Sequence, residues 1–243
     1  MQGQHDSAVI VTGAVGGLGG AVVERFAASG HHVISADLEQ SPQAHSSVRA
    51  DVSVEAQWMH IVEAARNTGL PISALINCAG TGTPTDLLST QESEWASVIG
   101  TNLTGTWLGM KSCYPLLSDY GHGSIVNVGS IYGQLPPPRP PNPPSSPAYQ
   151  ASKAGVEALT RAAASEFASA GIRVNCVVPG LFRTGLTANL EEGEYAIRKR
   201  PVAAGRDGRA SEFAEAVHFL ASDAASYVSG TTLNVDGGYP LCL

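Results

Sequence analysis

No apolar run in this 243-residue chain approaches the roughly 18 residues a membrane-spanning helix requires, so such a span is excluded. Cations are scarce: 14 Lys and Arg stand against 21 Asp and Glu, a net charge of −7. With a pI of about 5.4, that balance argues against nucleic acid or an anionic membrane as partner. Cysteine is sparse as well. Cys78, Cys113, Cys176 and Cys242 form no Cys-x-x-Cys pair, which predicts reduced thiols in a cytoplasmic protein. Cys78 and Cys176 sit in apolar runs and read as small core residues. The seven histidines show no ligand spacing such as His-Glu-x-x-His, so no metal site is expected. The polar stretch Met1 to Asp6 leads straight into an apolar strand, which predicts no signal peptide.

What is present is a steady alternation of apolar strand-like and helical patterns, without a composition break. Strand-like runs fall near 8–12, 32–36, 47–50, 73–78, 123–129, 172–178 and 231–235. Helical patterns fall near 18–29, 54–68, 92–118, 149–170 and 211–221. This predicts one α/β domain over residues 1–243, a doubly wound and mostly parallel seven-stranded sheet flanked by helices. At this size about three quarters of the unfolded surface can be buried, so neither disulfide nor metal is needed for stability.

The run Ala8-Val9-Ile10-Val11 enters Thr12-Gly13-Ala14-Val15-Gly16-Gly17-Leu18-Gly19-Gly20, and a helical pattern of Val22, Val23 and Phe26 follows. Strand, glycine-rich turn and helix in that order form a pyrophosphate cradle. Glycines permit close backbone approach, and the helix N-terminus offers unpaired N–H groups and a positive dipole end. The next strand ends at Asp37, 18 residues beyond Gly19, where a carboxylate can accept hydrogen bonds from the adenosine ribose hydroxyls. A 2′-phosphate there would face a like charge. At about 4 Å and an effective dielectric near 20 the repulsion is roughly 4 kcal/mol. Leu38 and Glu39 supply no cation, so NAD is expected over NADP.

Tyr149 and Lys153 lie four apart at the start of a helical stretch, hence on one face, one turn above the other. An ammonium beside a phenol favours phenolate and lowers its pKa. Tyr149 is therefore predicted to donate and accept protons for an alcohol or ketone. As an isolated motif the spacing would equally describe a solvated helix face.

Together these features resemble the short-chain dehydrogenase/reductase family, in its single-domain oxidoreductase branch with a Rossmann-type sheet. Thr12 to Gly19 is similar to the family's Thr-Gly-x-x-x-Gly-x-Gly turn, which assigns Gly13, Val15, Gly17, Leu18 and Gly19 to cofactor binding, with Asp37 and Leu38 beyond. Asp51 and Val52 resemble the pair flanking the adenine ring. Asn77-Cys78-Ala79-Gly80 resembles the family's Asn-Asn-Ala-Gly strand end, with Cys in place of the second Asn. Pro179 and Gly180, with Phe182 and Thr184 beyond, resemble the segment that grips the nicotinamide carboxamide. Asn102 and Ser130 resemble catalytic residues that act with Tyr149 and Lys153. The resemblance implies that Ser130 hydrogen-bonds the substrate oxygen, that Lys153 also holds the nicotinamide ribose, and that Asn102 orders water in a proton relay. Gly13, Gly16 and Gly19 also fit the Gly-x-x-Gly-x-x-Gly turn of the family's longer sugar-nucleotide branch. The length leaves no room for that branch's extra substrate domain.

Two stretches carry the remaining expectations. Leu135 to Pro147 has eight prolines in thirteen residues, read as a stiff polyproline loop beside the active-site mouth. Residues 181–205 have poor periodicity and read as a substrate lid. Ser130, Tyr132, Leu135, Tyr149 and Leu186 are the expected substrate contacts, for a small or medium secondary alcohol or ketone, with alicyclic ones among the candidates. A homodimer or homotetramer is implied by the resemblance, through the helices near 92–118 and 149–170. The rival readings are a catalytically silent dinucleotide-binding regulator and a scaffold on the same fold.

Overall fold

A computed structural model describes residues 6–138, 146–187 and 190–239. Seven parallel strands form one sheet in the order β3-β2-β1-β4-β5-β6-β7. They are β1 (Ala8–Thr12), β2 (His32–Asp37), β3 (Ser46–Arg49), β4 (Ile72–Asn77), β5 (Ser124–Val128), β6 (Arg173–Pro179) and β7 (Thr232–Val235). Every residue of β1 and of β5 is buried, as parallel strands covered on both faces require. All seven strand-like runs read from the sequence become strands.

The helices are α1 (Gly17–Ala28), α2 (Glu55–Asn67), α3 (Glu92–Ile99), α4 (Gly105–Tyr120), α5 (Ile131–Gln134), α6 (Pro147–Phe167), α7 (Glu192–Lys199) and α8 (Ala210–Ala221). One face of the sheet is covered by α1 and α8, where Val22, Val23 and Phe26 meet Phe213, Val217 and Leu220. The other is covered by α2, α4 and α6, with Trp58, Ile61, Leu108, Met110 and Ala163 in one core. Fully burying a Val, Leu, Ile or Phe side chain stabilises by about 1.5–3 kcal/mol. Two such layers are what hold the sheet edge in place.

Two departures from the sequence reading bear on function. The expected helix over 92–118 is split by a π-helical turn, Gly100–Thr104, of the kind that collects at functional sites. Within the expected lid, Glu192–Lys199 is an ordered helix, and Arg183 at its approach pairs with Asp207 at 3.3 Å and Glu192 at 3.5 Å. Residues 139–145 of the proline-rich stretch lie outside the described residues. Among the described residues, no helix is long and apolar enough to cross a membrane.

Candidate active site

Strand order reverses between β1 and β4, and in open α/β sheets the ligand crevice opens at such a switch point, beyond the carboxyl ends of the strands. A cavity of about 570 Å³ lies there, within the usual range for ligand sites. Gly13, Gly17, Leu18, Gly19, Asp37, Leu38, Asp51, Val52, Ala79, Gly80, Tyr149, Lys153, Pro179 and Thr184 all line it. Those residues come from six separate segments of the chain.

The outer part is made largely of backbone. Gly13 takes φ +65, and a Cβ on it would meet the Ala79 backbone at 2.6–2.7 Å. A Cβ at Gly19 would overlap the Gly13 carbonyl. Helix α1 starts without a side-chain cap and without an acidic residue in its first turn. Its N–H groups are thus left for an anion. Thr12 Oγ1 accepts from the N–H groups of Cys78 at 3.1 Å and Ala79 at 3.2 Å, tying the glycine turn to the end of β4. Asp37 is aimed by two bonds: Val15 N–H donates to Oδ2 at 2.9 Å and Leu38 N–H to Oδ1 at 2.7 Å. Each carboxylate oxygen keeps further acceptor capacity, which suits a ribose diol. The residues present fit a nicotinamide dinucleotide.

The inner part is made of side chains. Lys153 is buried at 4% exposure, and its Nζ donates to the Val128 carbonyl at 2.8 Å. The same Nζ lies 5.8 Å from the centroid of the Tyr149 ring. Ser130 caps α5, accepting from the Tyr132 N–H at 3.2 Å, and its side chain is near enough to the Tyr149 phenol to favour the ionised form. Asn102 sits fully buried in the π-helical turn. Its Nδ2 donates to the Thr81 carbonyl and to Ser152 Oγ, both at 2.9 Å. A Cβ on Gly80 would meet both Lys153 Nζ (3.4 Å) and Asn102 Oδ1 (3.5 Å), so the two groups share one neighbourhood.

The electrostatics depart from the expected lowering of the phenol pKa by Lys153. Burial drives the Tyr149 phenol above its ordinary value; the Ser130 hydrogen bond opposes this and Tyr132 adds to it. Lys153 is itself pushed down by burial, with Cys78 and Cys176 opposing. Burial penalises both charged forms, and the ammonium is engaged by a carbonyl. Cys78, at the crevice wall, has its thiol pushed up to about 11, chiefly by burial.

Several anticipated contacts fall elsewhere. Asn77 does not reach the crevice: its Nδ2 donates to Asn127 Oδ1 at 2.9 Å, and Asn127 in turn donates to Thr160 Oγ1 at 3.0 Å. A buried amide at that strand end is satisfied by the core, as buried polar groups must be. Phe182 packs edge-on against Phe213 in the α1–α8 core, because its ring finds apolar cover there. Gly180 is seated against Asp236, its N–H bonded to the Val235 carbonyl at 3.0 Å. Tyr132 and Leu135 pack against a third cluster with Ile131, Val156 and Tyr239 rather than lining the crevice. The side chain of Leu186 lies outside the described residues. Thr12, Thr81, Ser152 and the Val128 carbonyl were missed. Main-chain acceptors leave no sequence signal, whereas Thr12 opens the glycine motif and was legible. Among the described residues, no cluster of His, Cys, Asp and Glu could hold a metal ion.

Fold and crevice together define a nucleotide-binding α/β protein of the dehydrogenase type. The family described as Enoyl-(Acyl carrier protein) reductase matches residues 13–240. A 2,5-dichloro-2,5-cyclohexadiene-1,4-diol dehydrogenase of Sphingobium indicum is 33% identical over 242 residues, covering 95% of this chain and 94% of that one. A galactitol 2-dehydrogenase (L-tagatose-forming) of Cereibacter sphaeroides is 36% identical over 243 residues, with 94% and 93% covered. The crystal structure of gox2181 superposes with a TM-score of 0.89 at 30% identity, over 99% of this chain and 98% of that one. This chain belongs to the short-chain dehydrogenase/reductase family, and is an oxidoreductase of that family.

Proposed function

We propose that the protein is an NAD-dependent oxidoreductase that interconverts a small or medium secondary alcohol and its ketone, with Tyr149 as general acid and base. The observation that carries this reading is the shared crevice: Asp37 bounds it at one end, and Tyr149 and Lys153 at the other. The bound dinucleotide would supply the hydride acceptor or donor. Tyr149, as phenolate, takes the substrate hydroxyl proton during oxidation, and as phenol returns it during reduction. Ser130, close to that phenol, donates to the substrate oxygen and stabilises the charge developing there. Lys153 holds the ribose hydroxyls and passes protons between Tyr149 and the Asn102 side. Gly13, Gly17 and Gly19 admit the pyrophosphate, Asp51 and Val52 border the base, and Pro179 and Thr184 border the nicotinamide.

The relatives' names support the substrate class. One concerns a ring diol and the other a sugar alcohol, both secondary alcohols, and the first fits the alicyclic expectation. Asp37 supports NAD over NADP by the charge argument. The free thiols of Cys78, Cys113 and Cys176 suit a reducing, cytoplasmic setting. Trp95 and Trp107, 42% and 45% exposed on α3 and α4, support pairing of two copies there, as a dimer or tetramer. A panel of secondary alcohols and ketones, followed at the nicotinamide absorbance with NAD and NADP, tests the reading. NAD-linked turnover of at least one alcohol is expected. Tight NADH binding without turnover of any panel member would leave a silent nucleotide-binding protein instead.

A further inference from the structure

The segment Gly80–Thr85 runs beside the catalytic tyrosine with its backbone clamped at both ends. At one end Asn102 makes a two-way pair with Thr81: the Thr81 N–H donates to Oδ1 at 2.8 Å, and Nδ2 donates to the Thr81 carbonyl at 2.9 Å. At the other, the Ser146 N–H donates to the Thr85 carbonyl at 3.0 Å and its Oγ to the Thr83 carbonyl at 2.8 Å. Ser146 makes those bonds from left-handed backbone, φ 49, alone among the described non-glycine residues. Such a conformation persists only where the surroundings over-determine it.

Between the two clamps Gly82 lies against the Tyr149 ring. A Cβ built there would sit 3.2 Å from Cδ2, 3.8 Å from Cγ and 3.9 Å from Cε2. Gly82 is not among the glycines with positive φ, so its backbone does not demand glycine. The ring does. We propose that Gly82 is a positioning residue: the clamped strap sets bare backbone against the Tyr149 ring and so fixes where the phenol oxygen sits in the crevice. The proposal rests on Tyr149 being the acid–base group of the reaction proposed above.

Gly82→Ala and Gly82→Val add one and then three carbons at that contact. A misplacement of about 1 Å costs on the order of 100-fold in rate. Alanine, needing a few tenths of an ångström, is expected to lower kcat about 10-fold and valine about 100-fold, with KM for alcohol and for NAD changed less than about two-fold. The alcohol-oxidation profile should move to higher pH. A displaced ring loses the nearby Ser130 hydroxyl that lowers the phenol pKa, while burial and Tyr132, which raise it, remain, as does the Lys153 ammonium. Ser146→Ala removes the Oγ clamp without adding atoms near the ring and should shift kcat and the profile in the same direction, by about 3-fold in rate. Should the glycine variants fail to fold, this variant alone decides. Unchanged kcat and profile in the folded variants would overturn the proposal, and so would a loss confined to KM for the alcohol, which would make Gly82 a wall of the substrate pocket. Tyr149→Phe separates the two inferences: an active Tyr149→Phe removes the acid–base assignment, while an inactive one beside wild-type-like Gly82 variants removes only the strap. Ultraviolet titration of tyrosinate, with Tyr149→Phe subtracted, reads the phenol without turnover and should show it moved upward in Gly82→Val.

Discussion

At the Asp37 end of the crevice the binding groups are main-chain N–H groups and the space left by absent side chains. At the Tyr149 end they are polar side chains drawn from the turn after β5, the π-helical turn and α6. The first kind of site tolerates change in the flanking residues but no added atom at Gly13 or Gly19. The second tolerates no change in side-chain chemistry, because each group is held by another. Asn102 holds Thr81, Ser152 bridges Asn102 and the Tyr149 carbonyl, and the Val128 carbonyl holds Lys153. Lesions at the outer end should therefore appear in cofactor affinity, and lesions at the inner end in turnover.

The sharpest way to break that contrast is Tyr149→Phe. Loss of general acid–base catalysis costs about 10²–10⁴-fold. We expect kcat to fall by that amount, with NADH affinity, followed by fluorescence titration, close to wild type. Gly19→Val should do the reverse. Its side chain would overlap the Gly13 carbonyl, so calorimetry should show NAD binding weakened by about 100-fold, while the fold, followed by circular dichroism, persists. Asp37→Ala should weaken NAD by about 10-fold, the worth of one charge-assisted hydrogen bond, and NADP much less. Equal loss for both would remove the ribose argument. With the Tyr149 phenol pKa raised by burial, alcohol oxidation should climb as pH rises towards that value, because phenolate is the base. Ketone reduction should decline through the same range, because phenol is the acid. Asn77→Ala, the mildest, tests whether the outer end truly excludes that residue. It leaves Asn127 Oδ1 without the Nδ2 bond, so stability should drop by about 1–3 kcal/mol in denaturant titration, with NAD affinity unaltered.

The contrast also explains what could be read in advance. The seven strands were legible because a strand buried on both faces must be a short apolar run, and Val9, Val11, Ile125 and Val126 are such runs. The glycine turn, Asp37, Tyr149 and Lys153 were legible because their chemistry depends on local spacing. Asn77 was not, since its side chain is satisfied by Asn127, 50 residues away, and the spacing of a strand end does not say which way an amide turns. The break at Gly100–Thr104 leaves the apolar periodicity of 92–118 nearly intact. It shows in the backbone, where the Gly105 N–H reaches back five residues to the Gly100 carbonyl. Helix α7 is eight residues long, strongly charged and carries Gly193, which hides it from any propensity argument. The Phe182 ring packs away from the crevice because an apolar ring after a strand serves a core as well as a ligand, and here the core offered Phe213.

Cys78 lines the nucleotide crevice where relatives of the pattern carry a second asparagine, yet its sulfur is a poor target. With a pKa near 11, only about one molecule in 10⁴ carries the reactive thiolate at neutral pH. Iodoacetamide or mild peroxide should thus leave Cys78 untouched under conditions that modify an ordinary surface thiol, and electrophilic inhibitors aimed at this pocket would find no reactive thiolate to capture.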